Sequence, residues 1–356
     1  MKKSLLATTA IAAVAAVGVA SSAAANGFET KVSGFMEQWF GYSDNSASAV
    51  ANADAWVQHS DAEFYVSGKQ TLDNGLTFGF QIEVEGEVAG IDEQYGYVEG
   101  SFGKIIMGAE NVAAYLLHKS IKSAGLGLEE GDGNNAMIAG LGASDMTRTN
   151  THLGAIDDNN TVTYLSPSVN GFQFGASFTP TIATDTKVPA GTTGAKAIRT
   201  NDGTRDDAWS VGANYSGKFS EMSLTASIGY SDGGSDDGAA AAGQLQTFTS
   251  GVQVGFGGFT LSAAMGTEND DAAGQEIKTF GTSVMYGAGP MGVSIAFMSA
   301  EDDQNDDKVN QLELGASYKL GAGVTALGSI YIADRKTAGN TTADGVGVVG
   351  GIKLDF

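Results

Sequence analysis

Cysteine is absent from the 356-residue chain, which excludes disulfide staples, thiolate nucleophiles and cysteine-held metals. Histidine is nearly absent: His59, His118 and His152 all fall in expected loops, with nothing to hold them near a nucleophile and an acid. No HExxH, no P-loop and no dinucleotide-binding fingerprint occurs, so the chain reads as no enzyme and calls for no cofactor. Bases are scarce, with Lys+Arg 19 against Asp+Glu 41 and a net charge of −22. A chain this acidic is not a nucleic-acid binder. Beyond residue 25 no apolar run is long enough to cross a membrane as a helix.

Lys2 and Lys3 precede an apolar stretch from Leu5 to Ala20 and then Ala23, Ala24 and Ala25, the layout of a secretory signal peptide cleaved before Asn26. Residues 1–25 are therefore expected to be a leader and 26–356 a single domain of 331 residues (356 less 25). The leader takes two lysines with it, so the remainder carries 17 bases against 41 acids, a net −24. Gly 51 with Pro 4 would fit a disordered chain. Against disorder stand the aromatics, which recur at alternating positions.

That alternation has a period of two over segments of roughly ten residues, separated by turn residues, which is the pattern of a transmembrane barrel. Sixteen such segments are expected, at 28–42, 61–71, 76–88, 94–100, 103–109, 160–166, 171–178, 207–217, 220–231, 246–256, 258–268, 277–287, 290–300, 308–320, 323–334 and 345–356. In the third, Leu76, Phe78, Phe80, Ile82 and Val84 face one way and Thr77, Gln81, Glu83 and Glu85 the other. Connections alternate between tight turns, such as Asp73-Asn74-Gly75, and long loops at 43–60, 110–159, 179–206, 232–245, 269–276, 301–307 and 335–344. The expected fold is all-β: an antiparallel up-and-down transmembrane β-barrel of about 16 strands. Aromatics near strand ends, among them Trp39, Phe40, Tyr42, Tyr95, Tyr97, Trp209, Tyr230, Tyr286 and Tyr331, are expected to form two interfacial girdles.

Three stretches resemble the general diffusion porins of Gram-negative bacteria, especially their alphaproteobacterial branch: Tyr95-Gly96-Tyr97-Val98-Glu99-Gly100-Ser101-Phe102-Gly103-Lys104-Ile105-Ile106-Met107-Gly108, Thr161 to Pro167 followed by Gly171-Phe172-Gln173-Phe174-Gly175, and the closing strand ending on Phe356. The resemblance implies a homotrimer in the outer membrane and a water-filled channel for passive diffusion of small hydrophilic solutes and ions. It also implies that Phe356 signals to the barrel-assembly machinery, and that the third long loop, 110–159, folds inward and narrows the pore. A solute-specific channel and a structural or adhesin barrel without conductance are the alternatives.

Members of that family set an acidic inward loop against a basic wall. Glu129, Glu130 and Asp132, flanked by glycines, are the candidates for the acidic side. Lys31 and Lys69 on the wall, with Lys104 and the loop's own Arg148, are the candidates for the basic side. The expected stack of wall arginines is missing, and the wall carries Glu37, Glu63, Glu83 and Glu85 instead. Acids on both sides predict a cation-preferring pore. Acidic outer loops such as Glu301, Asp302, Asp303, Asp306 and Asp307 offer carboxylates for cations bridging to lipopolysaccharide, but lack the glycine and closing glutamate of a dedicated calcium loop.

Overall fold

In the computed structural model the described residues are 27–45, 55–86, 90–129, 150–153, 156, 158–182, 205–234, 243–271, 273–304, 306–336 and 342–356. They form sixteen strands: β1 Glu29–Asn45, β2 Ala55–Thr71, β3 Thr77–Glu85, β4 Gly90–Gly100, β5 Gly103–Ala109, β6 Asn160–Leu165, β7 Phe172–Ile182, β8 Arg205–Phe219, β9 Met222–Gly234, β10 Leu245–Phe256, β11 Phe259–Asp270, β12 Gln275–Ala288, β13 Met291–Asp302, β14 Asp307–Gly321, β15 Val324–Lys336 and β16 Thr342–Asp355. Each pairs antiparallel with its sequence neighbours, and β1 pairs with β16, so the sheet closes into a barrel. No described helix is long and apolar enough to cross a membrane; the crossing is made by strands.

Closure is completed by the last residue. Phe356 donates its N–H to the Gly34 carbonyl at 3.0 Å and accepts the Gly34 N–H at 2.9 Å, extending the register that runs from Phe35↔Asp355 to Asn45↔Gly345. No edge is left for another chain to pair with. The tight turns use the expected residues: at Asp73-Asn74-Gly75, Gly75 takes a φ of +84° and the Asn74 side chain accepts the Leu76 N–H at 3.1 Å.

Faces follow the alternation. In β9, Met222, Leu224, Ala226, Ile228 and Tyr230 point outward, and Ser223, Thr225, Ser227 and Gly229 point into the lumen. Several strands run further than their apolar pattern. β2 begins at Ala55, not at 61, and β4 at Gly90, not at 94, because the backbone ladder continues wherever partners align, with or without apolar side chains. His59 is therefore a strand residue, with its ring 5.3 Å from that of Trp39. The expected girdle also needs correction. Phe40, Tyr42, Trp209 and Tyr286 do stand exposed on the outer wall, but Trp39 and Tyr331 are 3% exposed and point inward, where they pack against the third loop.

Deleting Phe356 removes two backbone hydrogen bonds at the seam. At about 1 kcal/mol each this lowers barrel stability by about 2 kcal/mol, measurable as an earlier denaturant midpoint of the refolded protein.

Candidate functional site

The connection between β5 and β6 turns inward. Its outgoing limb, residues 110–129, opens with one helical turn, α1 (Ala113–Leu116), and then runs across the lumen face of the strands. A segment lying across strands has no ladder of its own, so its buried N–H groups need other acceptors. The wall supplies serine hydroxyls. Ala113 donates to Ser177 Oγ at 2.7 Å, Ala114 to Ser210 at 3.0 Å, Lys119 to Ser227 at 2.9 Å, Lys122 to Ser262 at 2.9 Å, Ala124 to Ser294 at 2.9 Å and Leu126 to Ser329 at 2.9 Å. These serines sit on β7, β8, β9, β11, β13 and β15 in the order the loop meets them. On β14 the place is taken by Glu313, fully buried, which accepts the Gly127 N–H at 2.9 Å and the hydroxyls of Ser123 at 2.5 Å and Ser329 at 2.6 Å.

A track of glycines lets the loop lie close. Every strand from β7 to β14 turns one glycine towards it: Gly175, Gly212, Gly229, Gly251, Gly266, Gly281, Gly292 and Gly315. At Gly251 an added Cβ would stand 1.8 Å from the Lys119 carbonyl oxygen, and at Gly315 it would stand 2.5 Å from the Gly125 nitrogen. The loop's apolar side chains fill part of the lumen. Ile121, Leu126 and Leu128 pack with Trp39, Met298, Tyr331 and Val349, while Val112 and Tyr115 pack with Ile156, Ala208 and Leu245. Part of the interior of this wide barrel is thus a dry core.

Glu129 ends the described outgoing limb. Its carboxylate accepts the Thr151 hydroxyl at 2.7 Å and the Ile121 N–H at 3.2 Å, and Thr151 also bonds His118 Nε2 at 2.9 Å. Two limbs of the loop are tied here. Burial pushes the Glu129 carboxyl up to about 7, against the lowering pull of its hydrogen bonds and of the Lys122 ammonium. Burial holds the His118 imidazole down to about 3, and the neighbouring Lys119 adds to the effect.

The remaining expected residues divide clearly. Glu130, Asp132 and Arg148 lie outside the described residues. Lys31 and Lys69 are exposed on the lumen side of β1 and β2, near the ends joined by short turns, and Lys69 lies opposite Glu29 in the register. Glu37 is buried and accepts a hydrogen bond from Lys353 at 2.6 Å. Glu63, Glu83 and Glu85 face the lumen together, with Glu63 opposite Glu85 and Tyr65 opposite Glu83. β4 adds Asp92 and Glu93, and carboxylate oxygens of Glu63, Glu85 and Asp92 lie within 4.8 Å of one another. At an effective dielectric of 20, two such charges about 5 Å apart repel by about 3 kcal/mol. Asn111 donates to Glu93 at 2.7 Å and Tyr65 to Glu63 at 2.6 Å.

Sequence reasoning found the wall acids but missed the serine and glycine tracks. The signal was present as one lumen-facing glycine on each of eight successive strands, a regularity that surface exposure to water does not require.

Gly251→Ala places a methyl group on the Lys119 carbonyl and lifts the loop, an overpacking cost of about 1–3 kcal/mol. Single-channel recordings of this variant are expected to show altered conductance and added noise, with the barrel's resistance to detergent denaturation unchanged. Docking also depends on pH. The docked loop holds the Glu129 proton more tightly than a free loop whose carboxyl titrates near 4.5, so docking weakens as pH rises from 4.5 through 7. His118 acts in the opposite sense, because the docked imidazole resists a proton that a free one takes up near 6.5, so docking weakens as pH falls from 6.5 towards 3. The two effects cancel between 4.5 and 6.5. Glu129→Gln removes the first, strengthening docking at about pH 8 by on the order of 3 kcal/mol. Its current noise should be lower than the wild type's there and equal to it below 4.5.

The geometry has counterparts among solved structures. The chain is similar to an anion-selective porin from Comamonas acidovorans, at 15% identity over 92% of this chain and 100% of that one, with a TM-score of 0.61. A porin refined at 1.8 Å resolution gives 20% identity over 92% and 100% and a TM-score of 0.60. The outer-membrane channel DcaP of Acinetobacter baumannii gives 12% over 93% and 98% with a TM-score of 0.62. At such identities the likeness establishes the fold alone. No curated protein sequence matches the chain. A family model does, over residues 7–338, and it describes the Gram-negative porins. The chain belongs to the Gram-negative porin family, and is an outer-membrane channel protein, not an enzyme.

Proposed function

We propose that this porin passes small hydrophilic solutes and ions by passive diffusion and prefers cations. The observation that carries the preference is the grouping of Glu63, Glu83, Glu85, Asp92 and Glu93 on the lumen face of β2–β4. In a sixteen-strand ring this face lies across from β10–β12, where the loop is docked with Lys119 and Lys122. The field across the lumen would then run from a basic loop to an acidic wall, opposite in sense to an acidic loop facing a basic wall. A wall of carboxylates in a narrow, low-dielectric passage concentrates cations and repels anions. Charges this close to a permeating ion lie within the ~8 Å Debye length at physiological salt.

The same proposal includes loop 110–159 as the constriction, with Glu129 as a structural tie within it. Glu130, Asp132 and Arg148 enter it through the family resemblance alone. It also includes the 1–25 leader, a homotrimeric state, recognition of Phe356 by the assembly machinery and contact with lipopolysaccharide. One neighbouring structure, OmpT of Vibrio cholerae, is described in a trimer form.

Reversal potential across a potassium chloride gradient tests the preference. The wild type is expected to be cation-selective, and Glu63→Gln/Glu83→Gln/Glu85→Gln to move the potential towards zero. An anion-selective wild type overturns the reading, and conductance that saturates with one solute replaces passive diffusion with a solute-specific channel.

A further inference from the structure

On the lumen face between β16 and β5 the chain twice sets one of its own ammonium groups over an aromatic ring beside a glutamate. Lys353 Nζ lies 4.5 Å from the centre of the Phe35 ring and donates to Glu37 at 2.6 Å. Lys104 Nζ lies 4.2 Å from the centre of the Tyr97 ring and 5.9 Å from that of Tyr95, and Lys104 stands opposite Glu99 in the register of β4 and β5. Gly79 on β3 makes room for the Tyr97 ring, since a Cβ there would stand 2.2 Å from the Tyr97 Cζ. A ring face attracts a cation through its quadrupole, and a carboxylate at its side adds full charge to the attraction.

Between these two places in the strand order, on β2, the wall carries a third pairing of ring and carboxylate. The partly exposed Tyr65 donates its hydroxyl to Glu63 at 2.6 Å and stands opposite Glu83 on β3, and Glu83 is itself held by the Gln81 amide. Among the described residues no lysine or arginine lies over the Tyr65 ring. The hydroxyl bond and the ladder set the ring between its two carboxylates before a solute arrives. Carboxylates alone draw any cation. The ring makes the distinction, because a small inorganic cation keeps its tightly held water, whereas an alkylated ammonium gives up little by lying against an aromatic face.

We propose that Tyr65, with Glu63 and Glu83, is a binding site for organic ammonium ions entering the pore, which take at this ring the position that Lys353 and Lys104 take at theirs. The site retards one class of solute in a channel that passes others by diffusion. It deepens the cation preference put forward above and rests on it.

The test is the potassium current of the full barrel refolded into planar bilayers, titrated with tetramethylammonium. Tetramethylammonium is expected to reduce the current to a saturating level. Tyr65→Leu should raise the half-blocking concentration on the order of tenfold, and Tyr65→Phe, which keeps the ring and loses the hydroxyl, should be blocked almost as readily as the wild type. Neither substitution changes the net charge of the wall. A Tyr65→Leu channel blocked as readily as the wild type overturns the proposal. So does a Tyr65→Phe channel blocked as weakly as the leucine one, since the hydroxyl and not the ring would then hold the ion. Should Tyr65→Leu not refold, the wild type decides: half-block by tetramethylammonium at a several-fold lower concentration than by lithium supports the ring contact, and equal concentrations overturn it. Reversal potential in the same bilayers tells the two failures apart. An anion-selective wild type ends the cation preference, whereas a cation-selective one without saturating block ends this site alone.

Discussion

The hydrogen-bond ladder that returns from β16 to β1 is the constraint on which everything else in this molecule depends. A sheet of sixteen strands left open would present two rows of unpaired amides to lipid, where nothing could satisfy them. Once closed at Gly34 and Phe356, the same sheet has no edges, but encloses an interior too wide for its own side chains to fill. The inward loop is one answer to that excess space.

The inner surface is accordingly divided in two. From β7 to β15 serines and glycines follow the loop's path and serve as its bed: hydroxyls satisfy its N–H groups and glycines allow its backbone to approach. From β2 to β4 it is made of glutamate, aspartate and tyrosine. The first half gains from excluding water, since the loop amides of Ala113, Ala114, Lys119, Lys122, Ala124 and Leu126 each have a serine acceptor. The second half crowds carboxylates, which are tolerable this close only where solvent, a cation or a shared proton offsets their repulsion. On the adjoining β1, Glu37 is paired directly with Lys353.

Much of this was legible in the residues. Period-two alternation is a local property, so β3 and β9 could be read face by face, and the count of sixteen followed from the turns between them. Strand ends were less legible, as β2 shows, because above the apolar band the ladder no longer leaves an alternating mark. The inward direction of Trp39 and Tyr331 was invisible for a related reason: an aromatic ring suits both a lipid interface and a dry core, and only the loop's course makes the second available. Glu129 looked like a pore acid from its glycine-rich flanks. The bonds from Thr151 and Ile121, which turn it into a tie between two limbs, join residues that no spacing rule connects.

The serine track couples the loop to the alignment of the barrel itself. Because successive strand residues face opposite ways, inserting or deleting one residue within β8 would turn Ser210 to the lipid and bring Val211 under Ala114. The outer loops carry no such phase. Length variation among descendants of this gene should therefore collect between the strands, and the segments from β7 to β15 should change by substitution, with their spacing kept.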